Sequence, residues 1–143
     1  MAERLKLRAE DAADLAVLSA VLQDALLPVV DMTFLAEEQR FVLVANRFCW
    51  ECAERGEKDG FERILTGVTF DAVSSVKVKG FSPNDRDRIL EVLAVIAEPG
   101  GILIDCSGMD CVRLEVDRIA CHLEDLGEPW PTPWRPKHPV AEA

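Results

Sequence analysis

The strongest constraint on the fold of this chain is a hairpin pattern in its second half. Apolar residues dominate 90–97 and 102–106, and only Glu98-Pro99-Gly100-Gly101 separates the two runs. Proline and glycine in so short a connection are typical of a tight turn between antiparallel strands. The sequence therefore predicts an antiparallel sheet at the centre of the fold.

A second hairpin is predicted at 33–48. There the polar turn Ala36-Glu37-Glu38-Gln39 separates a short apolar run from a longer one that is apolar on both faces. Such a strand is typical of a sheet interior that is covered on one side. An exposed loop is expected at 51–63, and further strands are predicted at 64–70, 76–78 and from Cys111 onward.

Two segments allow more than one interpretation. Ser82-Pro83 is a helix-start pattern, but the β-branched residues that follow favour a turn at Pro83–Arg86 and then a strand at 90–97. Further along the chain, the apolar phase slips by one residue at Asp117–Ile119. We interpret this slip as a β-bulge in one continuous strand.

An N-terminal helix is predicted at 11–26, because leucines recur there at the spacing of one helical face and Pro28 follows. An amphipathic helix needs apolar surface on which to lie. We therefore predict an α+β fold, with this helix packed on a strongly bent antiparallel sheet or open barrel of about six to eight strands. A pleckstrin-like shape is the nearest comparison. A faint similarity between the two hairpins leaves open an origin in two similar halves.

The predicted domain organisation is a single α+β domain at 1–126 and a tail at 127–143. The tail holds five of the eight prolines and two of the three tryptophans. This composition favours extended chain over a helix or a sheet interior. The tail is predicted either to pack on its own domain through Trp130 and Trp134 or to bind a partner.

The acidic charge balance excludes two classes of partner. The chain has 16 Lys and Arg against 26 Asp and Glu, a formal charge of −10. Nucleic acids and anionic membranes require cationic surface, so neither is predicted to bind. No apolar run approaches the roughly 18 residues that span a bilayer. The start Met1-Ala2-Glu3-Arg4-Leu5 lacks an export signal, so we expect a cytoplasmic protein.

No catalytic constellation stands out in the sequence. Histidine occurs only at His122 and His138, and no serine lies in a Gly-x-Ser-x-Gly elbow. No cofactor is predicted. The many carboxylates leave open an enzyme or a small-molecule-binding protein as an alternative. That alternative requires a pocket lined by two or more carboxylates or by His122.

The cysteines offer a minor alternative, a structural zinc site through Cys49, Cys52, Cys106 and Cys111. Reduced thiols are the simpler expectation for a cytoplasmic chain. Cys106 and Cys121 also fall at inward-facing strand positions, where cysteine behaves as a small apolar residue. No metal is therefore predicted.

The predicted binding surface contains arginine and tryptophan, the usual anchors of protein interfaces. The candidate binding residues are Arg47, Trp50, Glu51, Gln23, Asp24, Trp130 and Trp134. In the alternative interpretation, Arg47 and Glu51 pair on an exposed face while Phe48 or Trp50 completes the edge of the core. The sequence predicts a non-catalytic protein-interaction or regulatory module. Its expected partner is another protein, with a homodimer as an alternative.

Several motifs resemble those of a family of short proteobacterial proteins of unknown function. They include Leu7-x-Ala9-Glu10-Asp11, Arg113-Leu114-Glu115-Val116 and, as the most specific, Asn46-Arg47-Phe48-x-Trp50-Glu51. The resemblance covers residues 5–138 and implies no established activity. At the position of Cys49 the family more often has arginine, so the resemblance implies neither a zinc nor a redox role for this cysteine.

Overall fold

The computed structural model describes residues 4–51, 61–127 and 130–132. This part of the chain contains the α-helix α1 (Ala12–Leu22), three short 3₁₀ helices, and helical backbone at Trp50 and Glu51. The strands are β1 (Lys6–Ala9), β2 (Leu26–Pro28), β3 (Met32–Leu35), β4 (Arg40–Phe48), β5 (Phe61–Phe70), β6 (Val73–Lys79), β7 (Ile89–Glu98), β8 (Gly101–Cys106), β9 (Cys111–Val116), β10 (Cys121–Asp125) and β11 (Trp130–Thr132).

All strand pairs are antiparallel, in the order β1-β10-β5-β4-β2-β7-β8-β9-β6, with β3 added to β4 and β11 added to β5. The order ends at β1 and β6, and these strands do not pair with each other in the described chain. The predicted α+β class with a pleckstrin-like barrel is therefore wrong. The described residues are mostly antiparallel sheet with little helix, and the sheet that they form is not closed.

The strand number was underestimated because several strands are too short to show an alternating pattern. β2 and β11 have three residues each, and each includes a proline. The interpretation as two similar halves also fails, because the two hairpins have different places in the sheet: β7 and β8 are neighbours within the strand order, whereas β3 is added beside β4 outside it.

Helix α1 begins where its capping residue predicts. The Asp11 carboxylate accepts a hydrogen bond from the backbone N–H of Asp14 at 2.8 Å, which satisfies one of the free N–H groups at the helix start. The leucines of one face are buried against β7 and β1. The helix ends at Leu22, earlier than predicted, and Pro28 lies in β2 instead. No helix in the described residues is long and apolar enough to cross a membrane.

Side chains from distant parts of the strand order meet in one core, so the sheet curls over on itself. Leu123 of β10 belongs to the same buried cluster as Val112 of β9, and Leu18 of α1 is part of it too. Cys106 and Cys121 are also buried in this cluster, which confirms that they serve as small core residues.

Individual elements were predicted with mixed success. Both hairpins are present, as β3–β4 and β7–β8, and the interpretation of 82–97 as a turn followed by a strand is confirmed. The predicted β-bulge at 117–119 is wrong. β9 ends at Val116 and pairs with β6 and β8, whereas β10 begins at Cys121 and pairs with β1 and β5. Of the predicted loop at 51–63, residues 61–63 belong to β5, and 52–60 lie outside the described residues.

Candidate functional site

A groove with a volume of about 470 Å³ lies between β3 and β6, and we call it the β3–β6 groove. Cavities of this size commonly hold ligands or partner side chains. Most of the lining side chains are apolar, and they come from β3, β4, β6, β9 and the two segments that precede β3 and follow β6. The lining residues are Val29, Val30, Met32, Thr33, Phe34, Phe41, Val76, Val78, Phe81, Pro83, Arg86 and Val112.

Both strands at this groove have an open edge. Within the described residues β3 pairs only with β4, and β6 pairs only with β9. The backbone N–H of Val73 donates to the carbonyl of Gln39 at 2.8 Å, which joins the start of β6 to the turn after β3. Beyond that join, the second edge of each strand has no strand partner in this part of the chain. Such edges are sites where a further strand can add.

The loop between β6 and β7 forms one wall of the groove and is held in place by its own hydrogen bonds. The backbone N–H of Ser82 donates to the Asp85 carboxylate at 2.9 Å, and the N–H of Arg88 donates to the Asp85 carbonyl at 3.0 Å. The Arg88 guanidinium also pairs with the nearly buried carboxylate of Asp110. The N–H of Val29 then donates to the Arg88 carbonyl at 2.9 Å. The wall is therefore preformed.

Arg86 is the one charged side chain among the lining residues. It is exposed, and its guanidinium makes no hydrogen bond or ion pair within the described residues. Its backbone is fixed, because the Arg86 N–H donates to the Asn84 carbonyl at 2.9 Å. An arginine in this position offers its donors to a ligand rather than to the fold.

The predicted binding residue Arg47 lies inside the protein. Its Nε and Nη2 donate to the two oxygens of Asp125, each at 2.9 Å, and its Nη1 and Nη2 donate to Glu51 at 3.0 and 2.7 Å. Asp125 also accepts from the Thr66 hydroxyl and from the Leu5 backbone N–H, both at 2.8 Å. The side chains of Arg47 and Asp125 are both 0% exposed.

These contacts determine which protonation states the groups hold. Burial alone would raise the pKa of Asp125 and of Glu51, but the hydrogen bonds and charge of Arg47 outweigh it and lower the pKa of each carboxyl. Burial would likewise lower the pKa of Arg47, and its two carboxylate partners instead raise it. All three groups are therefore charged at neutral pH. They form a buried ion-pair network that joins the N-terminal segment to β4, β5 and β10.

The alternative interpretation of this motif is therefore partly confirmed. Arg47 and Glu51 do pair with each other, but Arg47 is buried and not on an exposed face. Phe48 is 0% exposed and completes the core edge. Its ring packs edge-on against Trp50, with the ring centroids 4.6 Å apart. The pairing follows from the spacing of four residues, whereas the burial of Arg47 was not predicted.

Other predicted residues lie beside this network. The indole N–H of Trp50 donates to the backbone carbonyl of Gln23 at 3.3 Å, so the structure brings the end of α1 to the end of β4. Asp24 is 3% exposed and has a positive φ of 65°. Gln23, Asp24, Trp50 and Glu51 therefore occupy one region of the protein, and their role in partner binding stays a prediction.

Of the tail at 127–143, the structure describes residues 127 and 130–132. Residues 130–132 pair with 61–63 of β5, on the edge that β10 occupies further along β5. This short strand lies at the sheet edge, where proline is tolerated. The predicted contacts of the Trp130 side chain and of Trp134 fall outside the described residues.

The cysteines give no metal centre in the described chain, where no group of three or more His, Cys, Asp or Glu side chains is placed to hold an ion. Cys49 is disulfide-bonded, so the expectation of reduced thiols is wrong for this residue. Cys106, Cys111 and Cys121 are free. Burial raises the pKa of Cys106 and of Cys121 to about 12, which keeps both thiols protonated. Cys52 lies outside the described residues.

A second, polar pocket of about 380 Å³ includes His122 together with two carboxylates. Asp71 is bonded to Arg40 at 2.8 Å, and Glu10 lies 3.8 Å from Arg8 on the surface. These pairings keep the carboxylates in contact with cations and solvent. The pocket meets the composition that an enzyme would require, but neither its carboxylates nor His122 are buried.

Sequence reasoning missed the β3–β6 groove. Its walls come from segments about 45 residues apart in sequence, and no local pattern indicates that they face each other. One signal was present. Val76-Lys77-Val78-Lys79 alternates apolar and lysine residues, and lysine is typical of an exposed sheet edge.

Comparisons with known proteins give a family but no activity. One family model, described as "Protein of unknown function (DUF2948)", matches residues 5–138. Neither the curated proteins nor the solved structures gave a match. The family match confirms the resemblance drawn from the sequence motifs. The functional argument therefore depends on geometry.

Proposed function

The chain belongs to the DUF2948 family of proteins of unknown function, and we propose that it is a non-catalytic, cytoplasmic protein-interaction module. In this proposal the β3–β6 groove binds an extended segment of another protein. One observation carries the proposal: two strands with open edges flank an apolar groove. An extended segment can satisfy such an edge with its backbone while its side chains fill the groove.

The chemistry of β6 favours a different protein over a second copy as the occupant. Lys77 is exposed, with 71% of its side chain accessible, and Lys79 is also exposed. Pairing β6 with β6 of another copy would bring two lysine-bearing strands together, and like charges on neighbouring strands are destabilising. Lysines on an edge strand commonly prevent this kind of self-association.

The surface predicted from the sequence remains a separate hypothesis for the same function. Trp50, Glu51 and Gln23 are the members that reach or adjoin the surface, whereas Arg47 is buried and would act by positioning Glu51. Partner binding at this surface should depend on Trp50 and be independent of the groove. A variant of Trp50 therefore separates the two surfaces in any binding measurement.

The proposal is tested by selecting peptides from a random octapeptide library displayed on phage. We expect selected sequences with apolar residues at alternate positions, because alternate side chains of a strand face the groove. Thr33→Trp places an indole at an exposed lining position and should abolish binding of the selected peptides. Val17→Trp, at an exposed position of α1 outside the groove, is the matched control and should leave binding unchanged.

Two outcomes would contradict the proposal. A library that yields no enriched sequence would show that the groove does not bind extended segments. Selected peptides that bind the Thr33→Trp variant as tightly as the unmodified protein would show that they bind elsewhere. Light scattering of the free protein tests the homodimer alternative, and we expect a monomer.

The polar pocket with His122 is the observation that favours the small-molecule alternative. NMR titration with a fragment library tests it directly. Shifts confined to residues 118–122 and to β1 would support a small-molecule site there, whereas shifts at the β3–β6 groove would not.

A further inference from the structure

We infer that the segment bound by the β3–β6 groove is acidic at one end, where a carboxylate pairs with Arg86. This inference rests on the proposed function, since it names the chemistry of the partner at the same site. It adds a charge requirement that the open edges and the apolar lining do not supply. Three observations carry it.

The first observation is that Arg86 is the single cation among lining side chains that are otherwise apolar except for Thr33, and it has no partner in the described chain. An arginine that stabilised the fold would contact a carboxylate. Arg88, which is two residues after Arg86, does so by pairing with Asp110. The neighbouring arginine is thus used internally and Arg86 is not. Its planar guanidinium matches a carboxylate with two parallel hydrogen bonds.

The second observation is that nearby acidic groups do not neutralise Arg86. The Asp85 carboxylate accepts from the Ser82 N–H at 2.9 Å and is committed to the loop. Asp87 and Asp31 are exposed and do not line the groove. On β6, Val76 and Val78 line the groove, so Lys77 and Lys79 lie on the other face of the strand, and Lys77 pairs with Glu115 at 3.7 Å. Arg86 is therefore the one charged side chain that the groove lining offers to a ligand.

The third observation is that Arg86 lies at one end of the groove, so the acidic group lies at one end of the bound segment. β6 begins at Val73, where the hydrogen bond to Gln39 joins the two walls, and it ends next to the loop that holds Phe81 and Arg86. Arg86 is therefore at the open end of the groove, away from that join. A bound segment meets Arg86 at one terminus of its contact region and meets apolar side chains along the rest.

The octapeptide selection tests this inference with one further variant. With the unmodified protein we expect glutamate or aspartate to be enriched at a single terminal position next to the apolar alternation. With Arg86→Glu, that position should change its preference to lysine or arginine while the apolar alternation is kept. Arg86 is exposed and outside the core, so the variant should fold as the unmodified protein does.

A selected peptide then gives the magnitude. Replacing its terminal glutamate by glutamine should weaken binding about two- to fivefold, the range of a solvent-accessible ion pair. Added salt should remove this difference, because salt screens exposed pairs. The same replacement should have no effect on binding to Arg86→Gln.

The outcomes separate the inference from the proposed function. Peptides that bind the groove with no acidic preference, and that bind Arg86→Glu equally well, would overturn the inference and leave the proposed function standing. A library with no enriched sequence would overturn both. An acidic preference that persists in Arg86→Glu would assign the carboxylate to another cation and overturn the role of Arg86.

Discussion

Arg47 shows how one buried residue can join distant parts of this chain. Its guanidinium donates to Asp125, 78 positions later in the sequence, and to Glu51, four positions later. A buried ion pair contributes little beyond an apolar replacement of similar volume, but it is costly to break, because the remaining charge stays buried without its partner. Variants at this residue therefore report on stability rather than on partner contacts.

The first prediction concerns Arg47→Ala, which leaves the Asp125 carboxylate buried without its cation. We expect the free energy of unfolding in urea to fall by about 3–5 kcal/mol. Arg47→Lys keeps the charge but not the paired geometry, so its loss should be smaller. Arg40→Ala, which removes an exposed pair with Asp71, is the control and should have little effect. Equal stability of Arg47→Ala and Arg40→Ala would contradict the structural role.

The second prediction concerns the pH dependence that Asp125 confers. The pKa of Asp125 is lowered in the folded protein, whereas the pKa of an aspartate in an unfolded chain is about 3.9. Its contribution to stability is therefore complete above the unfolded pKa and is lost as the pH falls through the lower, folded pKa. Asp125→Asn should be less stable at pH 7, and its stability should fall less steeply below about pH 4.

Urea unfolding at several pH values between about 7 and 2 measures this slope. The control is Asp87→Asn, which removes an exposed carboxylate that has no bond to a cation in the described residues. This variant should follow the pH profile of the unmodified protein. A profile of Asp125→Asn that runs parallel to the unmodified profile would assign the acid sensitivity to other groups.

Strand parity could have predicted the burial of Arg47. Phe41, Leu43 and Ala45 face the core, and position 47 has the same parity in β4. The arginine side chain suggested exposure instead, because a charged residue in an inward position requires a partner. That partner, Asp125, belongs to a strand far along the chain, and no local pattern identifies it.

At the scale of elements, the glycine turn after β6 holds the groove wall in place. Gly80 follows β6 with a φ of +89°, and a Cβ there would collide with the carboxylate of Asp110. The same carboxylate pairs with Arg88 in the loop that carries Arg86. Both the backbone conformation and the close approach therefore require glycine at this position.

The third prediction compares two glycines with positive φ. Gly100 has a φ of +68°, and a Cβ there would have open space around it, so Gly100→Ala costs only the backbone strain of about 1–2 kcal/mol. Gly80→Ala carries similar strain and also displaces Asp110 from Arg88. We expect it to lose at least about 1 kcal/mol more in urea unfolding. It should also weaken binding of groove peptides, whereas Gly100→Ala should not.

Equal losses for the two glycine variants would show that Asp110 adjusts without cost. Unchanged peptide binding by a folded Gly80→Ala protein would show that the groove wall does not depend on this contact. Either result would remove the link between the turn after β6 and the shape of the groove.

The elements that were predicted well from the sequence are those with local signals. The β7–β8 hairpin has its turn residues in place, and the cap at Asp11 begins α1. Connections between distant strands were not predictable in this way. Residues 117–120 carry the chain from β9 to β10, two strands with different neighbours, and the local phase slip there resembled a bulge.

At the scale of the whole molecule, the position of the open edges decides where a partner strand can add. The strand order ends at β1 and at β6, and β3 pairs with β4 outside this order. Within the described chain, the edges that adjoin the apolar groove are those of β3 and β6. From the sequence, the charge of −10 predicts no binding to nucleic acid, but it did not show that Arg86 lies at an apolar groove, because that placement depends on which segments meet.

The fourth prediction uses the two ends of the sheet as an internal comparison. Amide hydrogen exchange should slow in β3 and β6 when a selected peptide is added, because its backbone pairs with their open edges. β1 is an edge strand of the same sheet and contributes no residue to the groove, so its amides should exchange at an unchanged rate. Slower exchange in all three strands would indicate general stabilisation by a ligand. Strand addition at the groove requires protection of β3 and β6 beyond that of β1, and equal slowing in all three strands would contradict the prediction.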